Sequence, residues 1–196
     1  FKENPDLMKR VQNSLTTWGR REPNKSRLPP SEDVVMALVG QLSTDAQHGS
    51  SLALLTTLQY LGWFRPGEIL DVRLKDLVVQ DGKRVGVVVR PMEELRPGKT
   101  GEFDESVVID CSGRFEWLPE LITRLKVKLP ESERLFKAIP DYFTYHAKFA
   151  AAAKALNLEK HNLVPYLLRH AGASNAALEL KMPAADIKLY GRWATD

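Results

Sequence analysis

Pro165-Tyr-Leu-Leu-Arg169-His170-Ala-Gly-Ala-Ser174, followed by Tyr190-Gly191-Arg192-Trp193, is the stretch on which the reading of this chain turns. An arginine and a histidine stand together in an apolar helical run, ahead of a Gly-Arg-Trp step. Helical spacing predicts Tyr166 and Arg169, three apart, on one face, with Leu167 and Leu168 turned toward a core. A planar guanidinium in such a place is suited to one kind of ligand, since its fork donates two parallel hydrogen bonds to a phosphate or carboxylate.

Upstream, Leu7, Val11, Leu15 and Trp18 recur at helical spacing until Gly19. Residues 20–30 are polar, basic and broken by Pro23, Pro29 and Pro30, which predicts a linker or extended arm. Ser31 is the expected cap of a helix that opens with Glu32 and Asp33 and carries Val34, Val35, Leu38, Val39 and Leu42. A second helix is expected over 44–62, and a short one starts at Pro66 with Glu68, Ile69 and Leu70. The period then changes. Residues 77–80, 84–90 and 106–110 are β-branched runs, and Asp81-Gly82 between the first two is a strong hairpin signal. Helical spacing resumes over 115–129, 140–156, 164–178 and 183–190. The expected fold class is mainly α with a small three-stranded antiparallel β-sheet (α+β).

A chain of 196 residues can bury one substantial core. Its 27% of charged residues beside 43% hydrophobic ones is the balance of an ordinary globular protein, which excludes a disordered chain. No apolar run reaches the roughly 18 to 20 residues that cross a bilayer, so no membrane partner is expected. Cys111 is the single cysteine, so no intramolecular disulfide can form and a reducing, intracellular setting fits. Phe1 stands where a Met would open a gene product, and no signal-peptide pattern follows, so the sequence reads as a piece of a longer chain. The net charge of +3 leans toward an anionic partner but decides little alone.

Four places could carry chemistry. Arg65 opens Arg-Pro-Gly-Glu68 after the apolar run 58–64, and Glu68 at i+3 is its expected partner; a structural salt bridge at a helix junction would look the same. Lys99 lies in Pro97-Gly98-Lys99-Thr100-Gly101, on a Gly-flanked turn between two predicted strands; a turn lysine with no role is the alternative. A phosphate-binding Gly-x-x-x-x-Gly-Lys-Thr loop is not the explanation, because residue 93 is Glu. Arg169 is the third place, with His170 reading more as a packed or hydrogen-bonded neighbour than as a catalyst. Trp193 is the fourth: its indole N–H is a donor, though a plain core tryptophan would serve the same pattern. No His/Cys/Asp cluster has metal-ligand spacing, so neither metal nor cofactor is expected.

In that order, these segments resemble the catalytic domain of tyrosine recombinases, the phage-integrase family. Leu61-Gly-Trp-Phe-Arg65-Pro-Gly-Glu68-Ile-Leu-Asp-Val-Arg-Leu is similar to the family's first arginine box, Lys99-Thr-Gly to its β-hairpin lysine, Tyr166-Leu-Leu-Arg169-His170 to its His-x-Leu-Arg-His box, and Gly191-Arg192-Trp193 to the Gly-His or Gly-Trp step. The resemblance implies DNA breaking and rejoining through a 3′-phosphotyrosyl intermediate, with Arg65, Arg169 and Trp193 on the scissile phosphate, Glu68 supporting Arg65, and Lys99 protonating the leaving oxygen. It implies double-stranded DNA as partner, a homo-tetramer on two DNA sites, and a location with the DNA. Residues 31–196 would be most of the catalytic domain without its C-terminal end. Residues 1–30 would be the last helix of a preceding core-binding domain plus a linker, whose Arg20, Arg21, Lys25 and Arg27 would follow the DNA backbone; nearer the site His170 would meet the DNA, and Arg192, the second candidate at the Gly-Trp step beside the preferred Trp193, would be a phosphate contact. Tyr166 departs from the pattern, standing where His is usual; a phenol donates a hydrogen bond but shuttles protons poorly at neutral pH. The nucleophilic tyrosine would follow Trp193 by about two to three helical turns, beyond Asp196, so this chain as given is not expected to cleave DNA covalently. A DNA-binding descendant without catalysis, and a helical interaction module with no DNA role, are the competing readings.

Overall fold

The computed structural model describes residues 28–89 and 105–193. The helix expected over 7–18, the basic arm with Arg20, Arg21, Lys25 and Arg27, and the Lys99 turn lie outside the described residues.

The first helix, α1 (Glu32–Ser43), begins where the sequence says it should. Ser31 is the N-cap residue in extended backbone, and Glu32 and Asp33 sit in the positive first turn; the Ser31 hydroxyl makes no capping bond, so its carbonyl alone opens the helix, accepting from the Val35 amide at 3.0 Å. α1 buries Val35, Leu38 and Leu42, the three-and-four spacing of a single apolar stripe. α2 (Gly49–Leu61) starts later than the expected residue 44. The reason is Asp45, whose Oδ1 accepts from the amides of Gln47 and His48 at 3.1 and 2.9 Å and holds a turn that competes with helix. Its other oxygen accepts from Lys148 at 2.6 Å, tying that turn to α5 (Tyr142–Ala155).

α2 is apolar nearly all round and is accordingly the central helix, with Leu52, Leu55 and Leu58 fully buried. Two of its polar side chains reach across the core: Thr56 Oγ1 shares a 3.0 Å hydrogen bond with the Tyr145 hydroxyl, and Gln59 Nε2 donates to the Pro165 carbonyl at 2.8 Å, while Gln59 Oε1 is buried without a partner. The bond to Pro165 fixes where α6 (Leu167–Leu178) enters. Gly172 lets α6 come close, because a Cβ there would collide with the Trp63 ring and the Tyr60 carbonyl.

After the short α3 (Pro66–Asp71), the chain forms β1 (Leu77–Gln80), β2 (Arg84–Val89) and β3 (Glu105–Asp110), an antiparallel sheet in the order β1-β2-β3. Register runs Leu77 opposite Val87 and Arg84 opposite Asp110. Asp81 and Gly82 take φ of 54° and 63°, the left-handed pair that the hairpin signal required. Val85, Val87, Val89, Val107 and Ile109 are buried while their neighbours are not, so the sheet is covered on one face only. α4 (Trp117–Lys128) packs Leu118 and Ile122 beneath it, and α7 (Ala184–Tyr190) follows α6. The architecture is the expected one, mainly helical with a small three-stranded sheet. Among the described residues no helix is long and apolar enough to cross a membrane.

Candidate functional site

Where α2 ends, the chain turns at Gly62 and Trp63 and starts α3 with Arg65 as N-cap residue and Pro66 at its first position. Glu68, three residues on, folds back: its Oε2 accepts from the Arg65 amide at 2.7 Å and its Oε1 from Arg65 Nη1 at 2.6 Å. The i,i+3 pairing expected from sequence is therefore present, and it buries the carboxylate to 5% exposure while Arg65 keeps 18%.

Two further arginines converge on this carboxylate from the other end of the chain. Arg169, in the first turn of α6, is fully buried. Its Nη1 donates to the Trp63 carbonyl at 3.1 Å and lies 3.7 Å from Glu68 Oε2; its Nη2 donates to the Gly191 carbonyl and, at 3.5 Å, to that of Arg192. Arg192 Nη2 donates to Glu68 Oε2 at 2.9 Å and to the Trp63 carbonyl at 3.3 Å. Burial, and after it the charge of Arg65, lower the Arg169 guanidinium to about 10 against the pull of Glu68, which leaves it charged at neutral pH. Burial also lowers Arg192, with Glu68 and then Glu105 opposing. Three guanidinium groups thus share one carboxylate, with Glu105 acting on Arg192 from the start of β3. The arrangement carries surplus positive charge in a low-dielectric pocket. Several of its donors are buried without a partner: Arg169 Nε, Arg192 Nε and Arg192 Nη1. Buried donors of this kind are costly unless an acceptor arrives.

An aromatic layer lines the site. The Trp193 ring lies 5.0 Å from the Arg169 guanidinium carbon and stacks on His170, centroids 6.2 Å apart. His170 in turn meets Tyr166 at 5.4 Å. Burial and then the charge of Arg169 lower the His170 imidazole, so it is a neutral, stacked neighbour at pH 7. Tyr166 is 41% exposed and opens, with His170, His146, His161 and Lys160, onto a broad cleft. Tyr166 is the N-cap residue of α6, its backbone already helical, and its phenol acts on the Arg169 guanidinium; it is nonetheless exposed, while Leu167, Leu168 and Arg169 are all buried.

The structure therefore brings together Arg65, Glu68, Arg169, Trp193 and Arg192, and sets Tyr166 at the edge. Sequence reasoning kept Arg192 as a phosphate contact beside the preferred Trp193 and missed that it shares Glu68; the available signal was its place in a step already singled out. It also missed the Trp63 carbonyl, which accepts from two of the arginines and gives no signal in sequence. The described tyrosines other than Tyr166 and Tyr142 are engaged elsewhere. Tyr145 is bound to Thr56, and the Tyr190 hydroxyl lies 3.2 and 3.1 Å from the carbonyls of Leu61 and Val108, to one of which it donates; burial raises both phenols well above their ordinary value.

No protein-family model and no curated protein matches the chain by sequence. Solved structures do match. The XerH site-specific recombinase bound to difH substrate in a pre-cleavage complex superposes with a TM-score of 0.63 at 13% identity, covering 85% of this chain and 47% of that one. XerA recombinase gives 0.62 at 18% identity, covering 88% and 57%. An FLP recombinase–Holliday junction complex gives 0.58 at 13% identity, covering 100% and 52%. The chain spans about half the length of the solved structures it matches. It has the fold of the tyrosine-recombinase catalytic domain.

Proposed function

We propose that this chain is the catalytic region of a DNA strand-exchange enzyme that breaks and rejoins phosphodiesters through a 3′-phosphotyrosyl intermediate. The observation that carries the reading is the cluster of three arginines on the single buried Glu68, with guanidinium donors left over. Attack on a phosphodiester builds negative charge on the non-bridging oxygens, and preorganised cations in a water-poor pocket stabilise it. Arg65, the most exposed of the three, is the one a phosphate meets first. Arg169 joins through its unpartnered Nε, keeping its hydrogen bonds to the Gly191 and Arg192 carbonyls. Glu68 orients them all, and the Trp193 indole adds a neutral donor beside Arg169. Lys99 is the proton donor to the leaving 5′-oxygen, and the attacking tyrosine belongs to sequence beyond residue 196. Residues 31–196 form the catalytic domain and 1–30 the end of a core-binding domain with its basic linker. The working unit is a tetramer on two duplexes; DNA as partner is supported by XerH bound to difH substrate and FLP in complex with a Holliday junction.

The exposed Tyr166 favours a second reading, a DNA-binding descendant without catalysis. A denaturing gel separates the two. The full natural chain is incubated with a duplex that it is first shown to bind, nicked to trap the intermediate, beside Arg65→Ala. A covalent protein–DNA adduct that disappears in the variant supports catalysis. Firm, salt-dependent binding without adduct refutes it in favour of the descendant.

A further inference from the structure

The pattern Tyr-x-x-x-His occurs twice in the chain, at Tyr142–His146 and at Tyr166–His170, and the fold brings both pairs to one cleft. At the start of α5 and of α6, the four-residue spacing sets each tyrosine beside its histidine, with ring centroids 5.7 Å apart in the first pair and 5.4 Å in the second. A single exposed aromatic side chain is ordinary on a protein surface. Here two tyrosines from separate helices, 36% and 41% exposed, line the same space, each backed by an imidazole.

The second pair is joined to the arginine cluster. His170 stacks on Trp193 with an interplanar angle of 24°, and the Trp193 ring lies 5.0 Å from the Arg169 guanidinium carbon. A row of rings therefore runs outward from the cluster through Trp193, His170 and Tyr166, and its last member is the one left open to the cleft. Exposed Lys160 and His161 line the cleft as well. The occupant that suits such a place is planar, aromatic and tied to an anion. A nucleobase meets all three requirements, since its face stacks on aromatic side chains whatever its identity and its phosphate is a sugar away. A base inside a duplex has both faces covered by its neighbours, so only an unpaired base presents one.

We infer that this cleft is a pocket for one unpaired base of the DNA, seated between Tyr142 and Tyr166 while an adjoining phosphate lies on the arginine cluster. The inference rests on the DNA reading above and deepens it by naming the form of DNA that the site prefers, a duplex with one base out of its stack. Stacking reads the face of a base and not its edge, so the preference is for where the unpaired base stands, not for which base it is.

The test measures DNA binding by fluorescence anisotropy at one fixed salt concentration. A duplex that the full natural chain is first shown to bind is compared in three forms: fully paired, with one extra unpaired nucleotide, and with an abasic nucleotide in the same place. The extra nucleotide is moved in turn across the bound segment. The abasic form keeps the added phosphate and the flexible backbone, so its comparison with the base-bearing form isolates the base. At a preferred position the base-bearing duplex is expected to bind roughly tenfold tighter than the abasic one, the order that stacking on aromatic side chains supplies. Tyr142→Leu and Tyr166→Leu are each expected to bring that ratio close to one, and Tyr142→Phe and Tyr166→Phe, which keep the ring, to preserve it. A ratio near one at every position in the wild type overturns the inference. So does a ratio that survives either leucine substitution, or one that falls as far with phenylalanine. Those results leave the phosphodiester reading standing wherever a covalent adduct forms and depends on Arg65. A tenfold ratio without an adduct keeps the pocket and removes the chemistry; a wild type that binds none of the duplexes overturns both.

Discussion

Glu68→Gln is the perturbation on which the site's logic is most exposed. The carboxylate accepts from the Arg65 amide and Nη1 and from Arg192 Nη2, and sits 3.7 Å from Arg169 Nη1. Glutamine keeps the shape and one acceptor oxygen, but it is neutral and turns an NH2 group toward guanidinium donors. The Arg65 contact is partly open to water, so screening discounts it. The contacts to Arg169 and Arg192 are buried, and breaking a buried pair costs about 3 to 5 kcal/mol because the surviving charge is left uncompensated. At an unfolding entropy of about 2.1 cal/mol/K per residue, that loss lowers the melting temperature by about 7 to 12 °C in a chain of this length. Urea unfolding followed by circular dichroism, with calorimetry for the midpoint, measures both numbers. A second arm isolates the cause. Adding Arg192→Met to Glu68→Gln removes one of the repelling cations, so the double variant is expected to be more stable than Glu68→Gln alone, a coupling opposite in sign to simple accumulation of damage. Glu68→Gln within about 1 kcal/mol of wild type, or a double variant less stable than both singles, would refute the view that one carboxylate holds three arginines.

Two other outcomes follow from the fold. Gly172→Ala drives a methyl group into Trp63 and the Tyr60 carbonyl, so overpacking is expected to cost about 1 to 3 kcal/mol in the same unfolding assay, and an unchanged midpoint would show that α6 does not need the close approach. Cys111 is buried, its thiol donating to the Ile109 carbonyl, and burial pushes it up to about 11. Native protein at pH 8 is therefore expected to react with a thiol-specific disulfide reagent only as it unfolds. This raised value contributes stability that is full below the unfolded thiol's ordinary range and is lost as pH climbs toward 11; rapid native-state reaction at pH 8 would contradict it.

The elements that were legible in sequence are those with local causes. Asp81-Gly82 fixes its hairpin by backbone sterics alone, the acids after Ser31 announce a helix start, and Arg65 finds Glu68 because three residues of helix separate them. The start of α2 was not legible at residue 44, because apolar periodicity does not reveal that Asp45 will bind its own backbone. Nor was the exposure of Tyr166: spacing sets its angle about the helix, but as the N-cap residue it sits at the open end of α6 while Arg169, one turn further in, is covered. The pairing of Arg192 with Glu68 bridges 124 positions and depends on how α6 and α7 return to the end of α2, which no local rule encodes. The two arginine boxes and the Gly-Trp step supply the side chains that meet around Glu68, the Lys99 turn lies outside the described residues, and only packing showed which side chains face one another.

Arg169 is a fastener as well as a charge. Through its hydrogen bonds to the carbonyls of Trp63, Gly191 and Arg192 it clasps the end of the central helix to the turn that follows α7. A lineage that gave up strand cleavage would still need that clasp to stay folded. The arginine's persistence in any descendant is therefore testimony to architecture first, and chemistry must be argued from Arg65 and Arg192, whose removal leaves the clasp's side chain in place.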